Sequence, residues 1–354
     1  MSKSGGEIIF ERRGAAGLIT LNRPQALNAV THAMVLALRA QLSAWDDDPA
    51  ITRVVITAAG ERAFSAGGDI RALYDLGNAG RHAAALQFWR DEYPLNVSIK
   101  NFRKPYVALI DGLVMGGGVG LSVNGSHRVA GDRFQFAMPE VGIGFFPDVG
   151  ATWFLPRMPG ELGTYCGLTG ERFGSADAVT AGIATHRIPS VRFGALIDGL
   201  TGTVSVDTLL AAFAESAGEG AIMARRGAVD RLFAGDRVED ILAALDREAS
   251  SGSANAEWAA KTAVAMRTKS PLSLKLALAQ VRRGKAWDFE TCMRAEFRIV
   301  SRVIHGLDFY EGVRAVIVDK DNKPRWRPAT LAEVSEAEVE RHFAALGDDE
   351  LVLP

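Results

Sequence analysis

Two glycine-rich turns constrain what this chain can fold into. The first, residues 66–69 (Ala-Gly-Gly-Asp), follows an apolar, β-branched run at 54–57. The second, residues 116–118 (three glycines), follows a similar run at 106–110. Such runs predict buried strands, and each turn leads toward a helical pattern. A strand, a glycine-rich turn and a helix that recur in this order predict an α/β core.

One helix is predicted clearly before the first turn. Thr31 is a suitable N-cap residue, and Met34, Leu38, Leu42 and Trp45 follow it at spacings of three and four. This spacing places the apolar side chains on one face of an amphipathic helix.

The composition changes near residue 200, after which amphipathic helical patterns dominate. We therefore predict two regions, an α/β region over residues 1–200 and a mostly helical region over 201–354. The predicted helices of the second region are 209–213, 221–233, 238–248, 256–266, 272–282, 292–304 and 331–346.

The charge balance excludes some classes of partner. The 354 residues include 40 Lys and Arg and 42 Asp and Glu, for a net charge of -2. The chain lacks the strong excess of basic residues that would indicate a nucleic-acid partner. No apolar run approaches the length needed to span a membrane, so no membrane association is expected. With only Cys166 and Cys292 and no apolar leader at the N-terminus, we expect a reducing compartment and a cytoplasmic location.

Several catalytic motifs are missing from the sequence. Neither glycine turn matches the dinucleotide fingerprint or the phosphate-binding loop of nucleotide triphosphatases. The sequence has no Gly-x-Ser-x-Gly elbow, the motif that would indicate a serine hydrolase. The sequence also has no His-Glu-x-x-His pattern and no Cys/His cluster that would indicate a metal site, so no metal is expected.

The glycine turns themselves suggest a chemical role. Free N–H groups and a positive dipole end lie at a helix N-terminus. Two N–H groups converging on one point would stabilise an oxyanion. The alternative is that the glycines only let a helix and a strand pack closely.

A second candidate feature is the apolar segment at 136–150, whose only charged residues are Glu140 and Asp148. Burial and mutual repulsion raise the pKa of a carboxyl group, which suits acid–base catalysis near neutral pH. The alternative is a pair of exposed or helix-capping carboxylates.

Taken together, these motifs resemble the enoyl-CoA hydratase/isomerase (crotonase) superfamily. The resemblance rests on residues 21–29 (Leu-Asn-Arg-Pro-Gln-Ala-Leu-Asn-Ala), the two glycine turns and residues 138–140 (Met-Pro-Glu), which occur in the expected order. It implies a crotonase-like (ClpP/crotonase) spiral of ββα units, followed here by the helical region.

Within this superfamily the chain resembles the 3-hydroxyisobutyryl-CoA hydrolase branch. Gly120 stands where hydratases typically carry a catalytic glutamate, and Asp148 stands where they typically have glycine. Residues 91–93 (Asp-Glu-Tyr) and 309–315 also resemble this branch. Residues 150–153 depart from the more glycine- and tyrosine-rich stretch expected there, which bears on the choice of acyl group.

The resemblance implies a set of roles. The backbone N–H groups of Gly68 and Gly117 would form the oxyanion hole, and Glu140 would attack the thioester carbonyl or activate water. Asp148 would bind the acyl hydroxyl or relay a proton, including to the departing thiolate, and Glu92 would help to bind the acyl hydroxyl. The substrate partner would be an acyl-CoA, as in valine degradation, and coenzyme A would be part of that substrate, so no separate cofactor is expected.

Two alternatives remain at this point. The chain could be an enoyl-CoA hydratase or isomerase that uses Glu140 alone, or a non-catalytic acyl-CoA-binding or scaffolding homologue. Glu92 could instead be one more acid on a solvated helix face. Members of the superfamily often trimerise through C-terminal helices, so a homo-oligomer is among the expectations. Arg23 and Lys104 could contact coenzyme A or serve structural roles.

Overall fold

The strands form two sheets in the computed structural model, which describes residues 6–354. Residues 1–5 of the first predicted region lie outside the described residues. The strands are β1 (Ile8–Arg13), β2 (Ala16–Leu21), β3 (Arg53–Ala58), β4 (Ala63–Ser65), β5 (Tyr106–Ile110), β6 (Leu113–Met115), β7 (His127–Ala130), β8 (Gln135–Ala137), β9 (Phe173–Gly174) and β10 (His186–Arg187).

From β3 to β8, successive strands of the chain alternate between the two sheets. The larger sheet has the order β1-β2-β3-β5-β7-β10, and the smaller has the order β4-β6-β8-β9. Apart from the antiparallel pairs β1–β2 and β8–β9, neighbouring strands are parallel. Each of the pairs β3/β4, β5/β6 and β7/β8 sends one strand to each sheet before the chain moves on, which produces the predicted spiral.

Helices surround these sheets and make up most of the second half of the chain. They are α1 (His32–Asp47), α2 (Ile70–Asn78), α3 (His82–Lys100), α4 (Gly117–Gly120), α5 (Ala151–Phe154), α6 (Leu162–Thr169), α7 (Ser175–Thr180), α8 (Phe193–Leu200), α9 (Val206–Phe213), α10 (Arg226–Leu232), α11 (Val238–Ala249), α12 (Ala256–Arg267), α13 (Pro271–Gly284), α14 (Phe289–Val303), α15 (Leu307–Val313) and α16 (Glu336–Phe343). A π-helical turn, Arg314–Val318, extends α15. Among residues 6–354 no helix is long and apolar enough to cross a membrane.

The predicted first helix is confirmed. The side chain of Thr31 accepts a hydrogen bond from the N–H of Met34 at 3.2 Å, which caps α1. Met34, Leu38, Leu42 and Trp45 are buried. The helix ends at Asp47, one residue before the Asp48 cap and two before Pro49.

Two predicted helices of the second region are shorter than expected. The segment 221–233 becomes a 3-10 turn, Met223–Arg225, followed by α10, because the carboxylate of Asp177 accepts the N–H groups of Ile222 and Met223 and holds them in a turn. In the tail, Ser335 caps a new helix by accepting the N–H of Glu338, so α16 begins at Glu336.

One apolar core serves both halves of the chain. A single cluster of buried side chains extends from Ile19 in β2 to Leu351 near the C-terminus. A second, smaller cluster lies between the larger sheet and helices α8 and α9, and it includes Val55 and Leu196. The boundary near residue 200 stays a prediction.

We expect the centre of the larger sheet to be sensitive to loss of volume. Ile56, in β3, is fully buried in the main cluster. Ile56→Ala should lower the free energy of unfolding by about 2–5 kcal/mol, because it removes buried methylene groups and leaves a cavity. Denaturant unfolding measures this difference. Val191→Ala is the control, because this side chain is 88% exposed and its truncation should change stability by less than about 0.5 kcal/mol. Equal losses would contradict the assignment of the core.

Candidate active site

The two glycine turns meet at one edge of the smaller sheet. β4 ends at Ser65 and β6 ends at Met115, and these strands are parallel neighbours. Parallel neighbours bring the segments at their carboxyl ends together. Gly67 has φ +113° and Gly116 has φ +45°, values that L side chains rarely adopt, so glycine is required at both positions.

The two predicted amide donors lie side by side. A Cβ atom added at Gly117 would be only 3.2 Å from the amide nitrogen of Gly68. Within the described part of the chain, neither amide donates a hydrogen bond to another group. The two turns therefore pack closely against each other and also leave both N–H groups available as donors.

A cavity of about 720 Å³ opens over these turns. Both predicted amides and the three predicted carboxyl groups contribute to its wall. Its aromatic lining is Phe88, Trp89 and Phe145, and residues that also line it from the second half of the chain are Lys269, Val316, Ile317 and Asn322.

Glu140 begins a 3-10 turn, Glu140–Ile143, and is buried. A Cβ added at Gly116 would lie 3.4 Å from Glu140 Oε1, so the carboxyl group reaches the second glycine turn. Among residues 6–354, its other oxygen, Oε2, has no hydrogen-bond partner. Burial, followed by the charge of Asp148, raises the pKa of Glu140 well above its ordinary value.

Asp148 is buried as well, and a hydrogen bond from Tyr93 helps to orient its carboxyl group. The hydroxyl of Tyr93, in α3, donates to Asp148 Oδ2 at 3.0 Å. Burial raises the pKa of Asp148 to about 7, against the lowering effect of the Tyr93 hydrogen bond. Near neutral pH this group therefore exchanges a proton readily.

Glu92 precedes Tyr93 in α3 and also faces the cavity. A Cβ added at Gly117 would meet Glu92 Oε1 at 2.8 Å. This oxygen has no partner within residues 6–354. Burial, then the charges of Asp148 and Glu296, raises the pKa of Glu92 well above its ordinary value. The interpretation of Glu92 as an acid on a solvated helix face is wrong, because the side chain is only 2% exposed.

The position of the absent hydratase glutamate is crowded. A Cβ added at Gly120 would come within 2.7 Å of the Asn96 Nδ2 and 2.9 Å of the Val149 Cβ. Asn96 lies one helical turn after Glu92 and is fully buried. Sequence reasoning missed Asn96; its spacing of four from Glu92 was the available signal.

Glu296, in α14, was also missed. It is fully buried behind the segment that carries Asp148 and accepts hydrogen bonds from the backbone there. Its position could have drawn attention, because it lies on the apolar stripe formed by Cys292, Met293, Phe297 and Val300. An acid on such a stripe is costly unless its oxygens are bonded.

Other polar residues have structural partners. Asp69 caps α2 by accepting the N–H of Ala72 and pairs with Arg23 at 3.1 Å. Lys104 donates to the carbonyl oxygens of Trp45 and Asp48. Within residues 6–354, no group of three or more His, Cys, Asp or Glu side chains could hold a metal ion.

Several curated proteins of similar sequence are named 3-hydroxyisobutyryl-CoA hydrolase. The chain is 44% identical to the mitochondrial 3-hydroxyisobutyryl-CoA hydrolase of Danio rerio, over 99% of this chain and 93% of that protein. It is 39% identical to the human protein of the same name, over 98% of this chain and 90% of that protein.

The comparison also corrects the expected location. These relatives are named as mitochondrial enzymes, so the prediction of a cytoplasmic location is wrong. The two cysteines on which it partly rested are free and buried. Free thiols indicate a reducing environment, but they do not distinguish one reducing compartment from another.

Solved structures extend the comparison to the fold. A carnitinyl-CoA dehydratase from Mycobacterium thermoresistibile superposes with a TM-score of 0.92 at 41% identity, over 98% of this chain and 99% of that chain. An enoyl-CoA hydratase from Rhodobacter sphaeroides 2.4.1 gives 0.91 at 40% identity, over 98% and 100%. Together with the two sheets and the helical second half, these similarities confirm the predicted crotonase-like α/β fold.

The family itself is shown by a match along most of the chain. The sequence profile described as enoyl-CoA hydratase/isomerase matches residues 16–343. This range includes both glycine turns, all three carboxyl groups of the cavity and the helices of the second half. The chain therefore belongs to the enoyl-CoA hydratase/isomerase family.

Proposed function

We propose that this protein is an acyl-CoA thioester hydrolase that converts 3-hydroxyisobutyryl-CoA to 3-hydroxyisobutyrate and coenzyme A. The observation that carries the proposal is the cavity in which two free amide groups face three buried carboxyl groups, while position 120 has no room for a hydratase glutamate. The shared name of the curated relatives supports the same reaction and substrate. Coenzyme A is part of the substrate, and the proposed reaction uses no separate cofactor.

The amide pair would bind the thioester carbonyl. As the carbonyl carbon is attacked, negative charge develops on its oxygen, and the N–H groups of Gly68 and Gly117 would donate to that oxygen. One such donor is worth about 3–4 kcal/mol of transition-state stabilisation. Because both donors belong to rigid turns, little reorganisation accompanies the reaction.

Glu140 would act on the carbonyl carbon. Its Oε2, which has no hydrogen-bond partner among residues 6–354, either attacks that carbon, forming an anhydride that water then hydrolyses, or accepts a proton from the water that attacks. In both routes the C–S bond breaks, water supplies the new carboxylate oxygen, and the leaving thiolate takes a proton. Both routes require the ionised form of Glu140.

Asp148 and Glu92 would complete the site. Asp148, with its pKa near neutrality, would supply the proton to the thiolate or bind the acyl hydroxyl. Glu92 would accept a hydrogen bond from that hydroxyl through Oε1, an oxygen with no partner in the described part of the chain. The three carboxyl groups would thus divide attack, proton transfer and recognition among them.

The second candidate is an enoyl-CoA hydratase or isomerase that uses Glu140 alone. The similarity to solved structures described as a carnitinyl-CoA dehydratase and an enoyl-CoA hydratase favours it. Addition of water to a double bond uses paired carboxylates in hydratases, and the crowding at Gly120 argues against this chemistry here.

Two assays separate these candidates. We expect thiol release from 3-hydroxyisobutyryl-CoA, followed with a thiol reagent, to be fast. Loss of the enoyl absorbance of crotonyl-CoA should be slow or absent. Other 3-hydroxyacyl-CoA substrates in the same assay report the acyl preference. Rapid loss of crotonyl absorbance without thiol release would overturn the proposal in favour of the hydratase. Binding of acyl-CoA without either reaction would favour a non-catalytic homologue.

Substitution of the two central carboxyl groups should abolish most of the activity. Glu140→Gln and Asp148→Asn keep size and polarity but remove the ionisable group, and each should lower kcat about 10²–10⁴-fold. Steady-state thiol release measures the effect. Glu257→Gln is the control, because that side chain is 81% exposed in a surface ion pair and the substitution should leave kcat unchanged. Wild-type turnover in either variant would move the chemistry to another site.

The pH dependence follows from the raised pKa of Glu140. Activity requires the ionised carboxylate, so kcat/KM should fall as the pH drops through a value well above 4.5. In Asp148→Asn the residual activity should persist to lower pH, because the charge of Asp148 helps to raise the pKa of Glu140. A wild-type acid limb near 4.5, the value of an exposed glutamate, would contradict this assignment.

A further inference from the structure

Glu296 makes two hydrogen bonds to the backbone that follows Asp148. Its Oε2 accepts the N–H of Gly150, and its Oε1 accepts the N–H of Thr152, each at 2.9 Å. Both oxygens are thus used, and the side chain is fully buried in the wall behind the cavity. A buried carboxylate with such bonds fixes the peptide groups that it contacts.

The segment that Glu296 holds has an unusual backbone. Val149 has φ +55° and Gly150 has φ +98°, so two consecutive residues adopt left-handed conformations. For a β-branched residue such as Val149 this conformation is rare and costs on the order of 1–3 kcal/mol. External contacts must therefore maintain the turn that projects Asp148 into the cavity.

Further contacts anchor both ends of the same segment. Gln280, in α13, donates from Nε2 to the Pro147 carbonyl at 3.0 Å and to the Thr152 hydroxyl at 2.8 Å. Asn124 donates to the Val149 carbonyl at 3.0 Å. Helices α13 and α14 of the second half thus hold the peptide groups on both sides of Asp148.

We propose that Glu296 is a positioning residue for Asp148, acting through the amides of Gly150 and Thr152 from behind the active-site wall. The inference rests on the proposed function of Asp148. Glu296 touches the backbone of the acidic loop, so its effect on the reaction is indirect.

The charge of Glu296 has a second effect on the site. Burial and the nearby Asp148 raise the pKa of Glu296 to about 8. In turn, its charge raises the pKa values of neighbouring groups from several elements. These are Glu92 and Tyr93 in α3, Glu140 in the 3-10 turn and Cys292 in α14 itself. Neutralising Glu296 should therefore shift the pH profile as well as the geometry.

The first test is Glu296→Gln, which keeps the size of the side chain but presents an NH₂ group to one backbone N–H donor. Displacement of Asp148 should lower kcat about 100-fold, with a smaller change in KM. The acid limb of the pH profile should move to lower pH, because a charge that raised the pKa of Glu140 is lost. Thiol release over a range of pH measures both effects.

Asp177→Asn is the matched control. Asp177, in α7, is also a buried carboxylate that accepts two backbone N–H groups, those of Ile222 and Met223, but it lies outside the carboxyl cluster. We expect this variant to lose stability while it retains the wild-type kcat and pH profile. Thermal unfolding of both variants separates a general loss of stability from a specific loss of positioning.

Gln280→Met provides a second route if Glu296→Gln does not fold. It removes the hydrogen bonds to Pro147 and Thr152 without changing any charge. We expect kcat to fall about tenfold with no movement of the pH profile, because only geometry changes.

The outcomes separate the two proposals. Thiol release by the wild type with unchanged kcat and pH profile in Glu296→Gln would overturn the positioning role alone. If only Gln280→Met folds, wild-type kcat in that variant would overturn the positioning role. If the wild type hydrates crotonyl-CoA instead, the hydrolase function fails, and the same comparison in that reaction decides the role of Glu296. Absence of both reactions would overturn both proposals.

Discussion

Desolvation of carboxyl groups is the constraint on which the rest of this structure depends. Glu92, Glu140, Asp148 and Glu296 are all buried, and the charges of Asp148 and Glu296 add to the effect of burial by raising the pKa of Glu92 and of Glu140. The fold tolerates this cluster because specific donors compensate part of the cost. The Tyr93 hydroxyl serves Asp148, and two backbone amides serve Glu296. The pKa values of Asp148 and Glu296, about 7 and about 8, lie near neutrality, which suits acid–base chemistry on a thioester.

The helical second half has a direct part in this arrangement. It contributes Lys269 and Asn322 to the cavity lining, and its helices α13 and α14 hold the turn around Asp148. The shared core means that these helices cannot move without disturbing the packing of the sheets. The site is thus built from two stretches of chain that are distant in sequence, each of which restrains the other.

Much of the fold and part of the site could be predicted from the sequence, for identifiable reasons. Local patterns were sufficient for α1, where the Thr31 cap and the apolar spacing agree, and for strands β3 and β5. The turns at Gly67 and Gly116 could be recognised because their positive φ angles require glycine, which is visible in the sequence. The pairing of strands β4 and β6, which brings the turns together, is non-local and came only from the family resemblance.

Residues that act through tertiary contacts could not be predicted from the sequence. Glu296 lies in a helix that was predicted from the sequence, and Asn96 lies in α3. The groups that the two side chains contact belong to the segment at 147–152 and to α4, respectively. The start of the helix predicted at 221–233 depended on the carboxylate of Asp177, which is distant in sequence. In each case the decisive contact joins residues far apart in the chain.

The crowding around Gly120 has a consequence for how such enzymes diverge. Because Asn96 and Val149 occupy the volume that a longer side chain would need, a glutamate cannot be reintroduced by one substitution without a collision. A return to double-bond chemistry would require coordinated replacements in a helix, a glycine turn and a strained loop. A chain that gained an acid at this position without those replacements would lose packing around it.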